Sequence, residues 1–230
     1  MSFWVPRRRP GPELLDGPGV PADEAEASLA DVEWVHHRLG GRALVRRRLQ
    51  PLFASRAGRE DALLILDLGC GSGHVGRDLL AAAAEVGALV RVFGLDRKTS
   101  HARLAARGAA VVADTFRLPF RDRSVDIVFS TLLLHHFSPA ETATLLAESR
   151  RVAASTVVAL DLARNRLALA AVWVAGPLAF RSRLSVADGK TSVRQAYTSD
   201  EVAAIAAPVL PGARVTMASR FVWELVWKRP

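Results

Sequence analysis

The chain has 230 residues, half of them hydrophobic, which is enough to bury one sizeable core in a single domain with a modest extension. Its formal net charge of +8 comes from scattered arginines in short clusters, so we expect no nucleic-acid partner. The longest apolar run, residues 167–180, has 14 residues and is too short to span a bilayer, so we expect a cytoplasmic protein without stable membrane insertion.

Residues 1–57 are expected to form an arm followed by a helical lid. Prolines and glycines between charged residues predict an irregular arm over residues 1–21. Apolar residues spaced by three to four predict helices at 23–39 and 42–56, separated by two glycines. Pro51 should bend or divide the second helix.

From residue 62 onward the pattern alternates between strands and helices. This rhythm predicts a parallel sheet with helices on both faces, and therefore an α/β core over residues 58–230. An apolar insert at 162–197 interrupts the rhythm before a helix that starts at Thr198 and two antiparallel strands. The predicted strands are 62–67, 89–95, 110–114, 125–131, 155–161, 214–219 and 221–228, and the predicted helices between them are 74–86, 99–107 and 138–152.

A glycine-rich loop follows the first of these strands. Asp67 ends the strand, and Gly69, Gly71 and Gly73 let the backbone turn sharply and approach a ligand. The loop overlaps the dinucleotide pattern G-x-G-x-x-G, but Asp67 would repel a pyrophosphate and would suit an ammonium group. The loop therefore favours a cofactor without phosphate. Cys70, the only cysteine, is expected to be a small buried residue.

Two further acidic residues end the next two strands. Asp96 stands 29 residues after Asp67, where a carboxylate can accept two hydrogen bonds from a ribose diol. Asp114 could accept a hydrogen bond from an adenine amino group, although a surface turn would also suit it. Together these positions predict an adenosine site.

With these motifs, residues 62–161 resemble the class I S-adenosylmethionine-dependent methyltransferases. The resemblance implies a Rossmann-like, doubly wound, mostly parallel seven-stranded sheet with an N-terminal helical lid and a helical insert before the last strands. It implies S-adenosylmethionine as cofactor, S-adenosylhomocysteine as product and no metal. The matching segments are 66–73, 94–96, 113–114 and 126–130.

The same resemblance assigns roles to residues around the cofactor. Asp67 faces its amino end, and the loop glycines line the methionine part and the ribose. Asp96 would hold the ribose hydroxyls, and Asp114 the adenine amino group. The full set of cofactor residues implied in this way is Asp67, Gly69, Cys70, Gly71, Gly73, Asp96, Arg97, Asp114, Thr115, Ser130 and Thr131.

The segment after the fourth strand bears on the acceptor. Ser130 and the three residues after it lack the Asn/Asp-Pro-Pro-Tyr/Phe run of the family's nucleobase enzymes, which argues against a nucleobase. Either His135 or His136 could act as a general base on a phenol or enol, or the pair could only pack. His74 and His101 are expected on the surface.

Aromatic residues outside the core predict a lipophilic acceptor, although a helical cap would also need them for packing. We expect O-methylation of a phenolic, enolic or polyketide-like molecule by a monomer or homodimer. C-methylation of a quinol-like ring, an NAD(P)-dependent oxidoreductase and a non-catalytic cofactor-binding protein are the alternatives. The predicted pocket residues are Trp34, His37, Phe137, Trp173, Phe180 and Tyr197.

Overall fold

The computed structural model of the protein describes residues 5–105 and 109–230. In these residues the helices are α1 (Ala22–Arg38), α2 (Gly41–Ala54), α3 (His74–Ala84), α4 (Thr99–Ala105), α5 (Pro139–Val152), α6 (Arg166–Ala179), α7 (Arg183–Gln195) and α8 (Ser199–Ala206), with a 3-10 helix at Leu134–His136. The strands are β1 (Leu63–Leu68), β2 (Val90–Asp96), β3 (Ala109–Val112), β4 (Val125–Thr131), β5 (Ala153–Leu162), β6 (Arg214–Met217) and β7 (Val222–Lys228).

The seven strands of the described residues form one sheet in the order β3-β2-β1-β4-β5-β7-β6. Strands β1 to β5 are parallel, and β7 runs antiparallel to both β5 and β6. The α/β class and the mostly parallel seven-stranded sheet are thereby confirmed. Strand β1 lies between β2 and β4 and runs parallel to both. The carboxyl ends of the three strands therefore place Asp67, Asp96 and Ser130 at the same edge of the sheet, where such sheets bind ligands.

Apolar layers cover both faces of the sheet. On one face Ile65 and Phe129 pack with Phe53 of α2 and Leu79 of α3. On the other face Leu66 and other strand residues pack against α5 and α8. Since the inner strands are buried on both faces, their sequences are continuous apolar runs, which is why their positions could be predicted.

Most element boundaries lie within a few residues of the prediction. Ser138 and Thr198 both form the capping boxes that start α5 and α8. Pro51 does not divide α2, because it stands in the last turn and its own carbonyl still accepts from the Ser55 amide. The predicted helix 99–107 is seen to residue 105, and its last two residues lie outside the described ones.

The insert at 162–197 forms the two helices α6 and α7, which pack against each other. A Cβ on Gly189 would lie 3.2 Å from a methyl of Val172, so this glycine lets the helices approach closely. No helix in the described residues is both long and apolar enough to cross a membrane.

Candidate active site

The loop after β1 requires glycines because of its backbone dihedral angles and because neighbouring atoms leave little room for a Cβ. Gly69, Gly71 and Gly73 have φ of 68°, 51° and 73°, in the left-handed region that side chains disfavour. A Cβ on Gly69 would lie 2.7 Å from Leu133, which follows β4, and one on Gly73 would lie 3.0 Å from the backbone of Ala105. The loop therefore forms a close backbone cradle between β1 and α3.

Asp67 lies at the bottom of this cradle and is buried. Its Oδ2 has no hydrogen-bond partner among the described residues. Burial, together with the nearby charge of Asp96, raises the pKa of Asp67 to about 7. Buried polar atoms are normally paired, so this oxygen is available to a donor group of a bound ligand. Its role at the amino end of the cofactor stays a prediction.

Asp96 is also buried, but its oxygens have donors. It accepts hydrogen bonds from the amides of Gly71 at 3.1 Å and Lys98 at 2.9 Å, and His101 Nδ1 lies 3.4 Å away. Burial opposes its ionisation, but His101 and these amides hold the pKa of Asp96 below its ordinary value. Asp96 is therefore a carboxylate held at the cradle, in position for the predicted ribose role.

The expected surface positions of His74 and His101 are wrong, because both rings are buried. His101 packs beside Asp96, and His74 stands in the first turn of α3 against His36. Sequence spacing did not reveal this, because α1 covers the glycine loop and buries the start of α3: a Cβ on Gly71 would touch Leu29 of α1.

Cys70 and Arg97 differ in their relation to the cradle. The Cys70 thiol is buried against Gly94, where a Cβ would lie 2.9 Å from Sγ. Burial raises the pKa of this thiol above its ordinary value, as expected for a small buried residue that is not a nucleophile. Arg97 is exposed and forms an ion pair with Asp16 at 3.0 Å.

Asp114 lies on the surface beyond β3, and its Oδ1 accepts from the Phe116 amide at 2.9 Å. Thr115 beside it is buried. Ser130 and Thr131 are buried at the end of β4, and their place beside the reacting group stays a prediction. The next residue, Leu132, has φ of 51°, a strained backbone of the kind that occurs at functional sites.

His135 is fully enclosed between two carboxylates. Its Nδ1 lies 2.6 Å from Asp161 Oδ1, and its Nε2 lies 3.5 Å from Glu13 Oε1. Burial disfavours its charge, but Asp161 and Glu13 together raise the pKa of His135 to about 10. At neutral pH the ring is therefore protonated and has no lone pair for a substrate proton, which argues against His135 as the general base.

His136 differs from its neighbour in access. Its side chain is 24% exposed, and its ring stacks on that of His135 with centroids 4.3 Å apart. Its Nδ1 faces Asp16 at 3.4 Å and its Nε2 faces Glu13 at 3.8 Å. Glu13, His135 and His136 lie close enough together to share a metal cation. The ion pair with protonated His135 already balances the negative charge of Glu13 without a metal.

The residues that sequence reasoning missed belong to the arm. Arg8 donates to the carbonyls of Phe137 at 2.8 Å and Gln195 at 2.6 Å, and it stacks on the Tyr197 ring. The Glu13 carboxylate accepts from Ser192 and Gln195 of α7. The arm therefore crosses the carboxyl edge of the sheet and brings two acids to the histidines. No local pattern marks Glu13 or Asp16, since their role depends on this long-range docking.

The six predicted pocket residues do not form one pocket. Tyr197 is buried near the site and donates to the Phe137 carbonyl at 2.7 Å. Trp34 and Phe180 pair edge to face at 6.3 Å, and Trp173 is half exposed beneath Lys190.

His37 instead pairs with Asp78 of α3 at 2.9 Å. Its neighbour His36 is the residue that shares a small cavity with Thr131 and Leu132. Burial and the nearby His74 lower the pKa of His36 to about 4.

Comparison with known proteins agrees with this geometry. Residues 66–160 match the family model described as a methyltransferase domain. No curated protein sequence matches the chain.

Solved structures share the fold at low identity. A plantazolicin methyltransferase in complex with S-adenosylhomocysteine has 13% identity and a TM-score of 0.57, with 90% of this chain and 96% of that chain covered. Magnesium protoporphyrin IX methyltransferase from Synechocystis PCC 6803 has 19% identity and a TM-score of 0.54, with 84% of each chain covered. A methyltransferase from Aquifex aeolicus has 18% identity and a TM-score of 0.53, with 80% and 88% covered.

The matched segment runs from the end of β1 to β5. It therefore includes the glycine cradle, the acids Asp67 and Asp96, and the adjacent pair His135 and His136. Two of the solved neighbours were crystallised with S-adenosylhomocysteine or S-adenosylmethionine. Residues 66–160 therefore match a methyltransferase domain, and the chain has the fold of solved S-adenosylmethionine-dependent methyltransferases.

Proposed function

We propose that the enzyme methylates the oxygen of a phenolic, enolic or polyketide-like lipophile. The observation that carries this proposal is His136, a partly exposed ring beside two carboxylates at the end of β4. The bound cofactor would supply a methyl group on a sulfonium cation. An acceptor oxygen must lose its proton to accept that methyl, and His136 is the ring with access to take it.

The arm supports this assignment of the base. Asp16 can accept from Nδ1 of His136 and so fix the orientation of this ring. His135 cannot share the role, because it stays protonated between Asp161 and Glu13. We infer that His135 instead fixes the arm carboxylate Glu13 at the site and so positions His136.

Apolar and aromatic residues around the histidines support a lipophilic acceptor. Leu133 covers Gly69, Phe116 packs against Phe137, and Tyr197 lies beneath Arg8. We propose residues 1–57 as the lid over this site and residues 162–197 as its cap, because Glu13 of the arm lies beside both histidines and accepts from two residues of α7.

The names of two structural relatives point to a porphyrin and to plantazolicin as acceptors, so the fold does not select one acceptor class. C-methylation of a quinol-like ring would use the same deprotonated oxygen and therefore remains the second candidate. A pyrophosphate cofactor is disfavoured, since it offers no cationic donor to the unpaired oxygen of Asp67.

Turnover of labelled S-adenosylmethionine with phenolic and polyketide-like acceptors tests the proposal, with the methylated atom read by NMR. His136→Asn should lower kcat about 100-fold at unchanged cofactor affinity. Glu60→Gln, at an exposed acid before β1, is the control and should keep full activity. Unchanged kcat in His136→Asn would refute the base, and a methylated carbon would favour the second candidate.

A further inference from the structure

Helix α6 presents an apolar surface to solvent. Val174 is 75% exposed and Leu178 is 91% exposed, and Leu167 and Trp173 are half exposed. Another side of α6 packs on α7 through Val172, which lies against Gly189. Val174 and Leu178 instead face the solvent.

Two tryptophans extend this surface, and each has a cation beside it. Lys190 Nζ lies 4.0 Å from the ring centroid of Trp173, with Arg194 at 6.0 Å. Trp34 of α1, which pairs with Phe180, has the Arg38 guanidinium 5.4 Å from its ring. Exposed indoles with basic groups around them are typical of proteins that lie in the interface of a bilayer. We name the set Trp34, Leu167, Trp173, Val174 and Leu178 the α6 surface.

The charge of the insert that carries most of the α6 surface is mainly positive. Apart from Arg164, which is buried and pairs with Glu201, residues 162–197 contain five arginines and lysines and a single acid, Asp188. Asp188 is buried and accepts from the amides of Leu14 and Leu15, so it does not face the solvent. A second copy of the chain would place like charges against each other, whereas an anionic surface would complement them.

We propose that the α6 surface binds the headgroup region of an anionic lipid bilayer. The helix would lie in the plane of the bilayer, because 14 residues extend only about 21 Å, less than the hydrocarbon thickness. Val174 and Leu178 would enter the acyl boundary, and the cations would contact lipid phosphates. This binding needs no acceptor and does not rest on the proposed O-methylation.

Co-sedimentation of the full chain with phosphatidylcholine vesicles containing phosphatidylglycerol tests the proposal. We expect binding that weakens about tenfold on pure phosphatidylcholine or in high salt, since screening removes the charge attraction. Leu178→Glu should weaken binding at least about tenfold, because it removes the most exposed apolar group. Lys190→Gln should weaken it less, by about fivefold.

Leu89→Glu is the control, since Leu89 is also an exposed leucine, at 52%, but precedes β2, away from α6. It should bind vesicles like the parent chain, and cofactor affinity should be equal in all variants, which reports folding. The proposal is wrong if the parent chain does not bind these vesicles, or if Leu178→Glu binds as tightly as Leu89→Glu. A dimer in light scattering that Leu178→Glu dissociates, without vesicle binding, would instead make this face a contact between copies.

Discussion

Asp67 and His135 are both buried, but their neighbouring groups favour opposite charge states. Asp67 is buried beside another acid and lacks a partner, so its neutral form is favoured. His135 is buried between two acids, so its charged form is favoured although burial opposes it. The partners rather than the depth of burial decide the charge, which is why residue type alone could not distinguish His135 from His136.

Cofactor binding should therefore release a proton from Asp67. Its pKa of about 7 leaves it mostly protonated at pH 6, whereas an ammonium group of the ligand needs the carboxylate. Affinity for S-adenosylhomocysteine should rise between pH 5.5 and 7, by at most about tenfold per unit. Calorimetry in buffers of different ionisation enthalpy measures the released proton directly.

Asp67→Asn is the companion variant for this experiment. It keeps the shape and cannot ionise, so its affinity should be lower and independent of pH in that range. An equal pH dependence in Asp67→Asn and the parent chain would assign the proton to another group. Its folding is checked by the melting temperature, which should not fall, because the buried charge is removed.

At the scale of elements, the sequence predicted the core better than the parts that cover it. The apolar strand runs and capping boxes are local signals, and the cradle with Asp67 and Asp96 follows from them. The arm has no such signal, because residues 5–21 are ordered by contacts with α7 and the 3-10 helix far along the chain. The same limit explains why the sequence predicted His37 in the substrate pocket, whereas the structure pairs His37 with Asp78 and places His36 beside Thr131.

The arm should loosen when its buried carboxylate is neutralised. Glu13 pairs with His135 and accepts from Ser192 and Gln195, so Glu13→Gln removes the charge of an enclosed ion pair. We expect the arm to be cleaved at least about tenfold faster in limited proteolysis, with the core intact. Glu26→Gln, at an exposed acid of α1, is the control. Equal cleavage rates in the two variants would show that Glu13 does not hold the arm.

For the whole molecule, buried titratable groups predict where the enzyme without cofactor is most stable. Burial lowers the pKa values of His36 and His74 to about 4, so each adds stability above pH 6.5 that is lost as pH falls toward 4. Asp67 acts in the opposite direction, since its raised pKa adds stability at low pH that is lost as pH rises from 3.8 to about 7. Two histidines against one aspartate leave a net gain of about 1.4 kcal/mol per pH unit between pH 4 and 6.5.

Above that window the sign reverses. The pKa of His135 is raised to about 10, so its stabilising charge is lost as pH rises from 6.5 toward 10. The melting temperature should therefore be highest near pH 6.5 and fall on both sides, by roughly 2–4 °C per kcal/mol for a chain of this size. Scanning calorimetry at constant ionic strength measures this profile.

Replacing His36 and His74 with Gln should flatten only the acid side of the profile, and His135→Gln only the alkaline side, whatever the absolute stability of each variant. An unchanged acid slope in the first variant would mean that these rings are charged or exposed in solution, contrary to their burial where α1 meets α3.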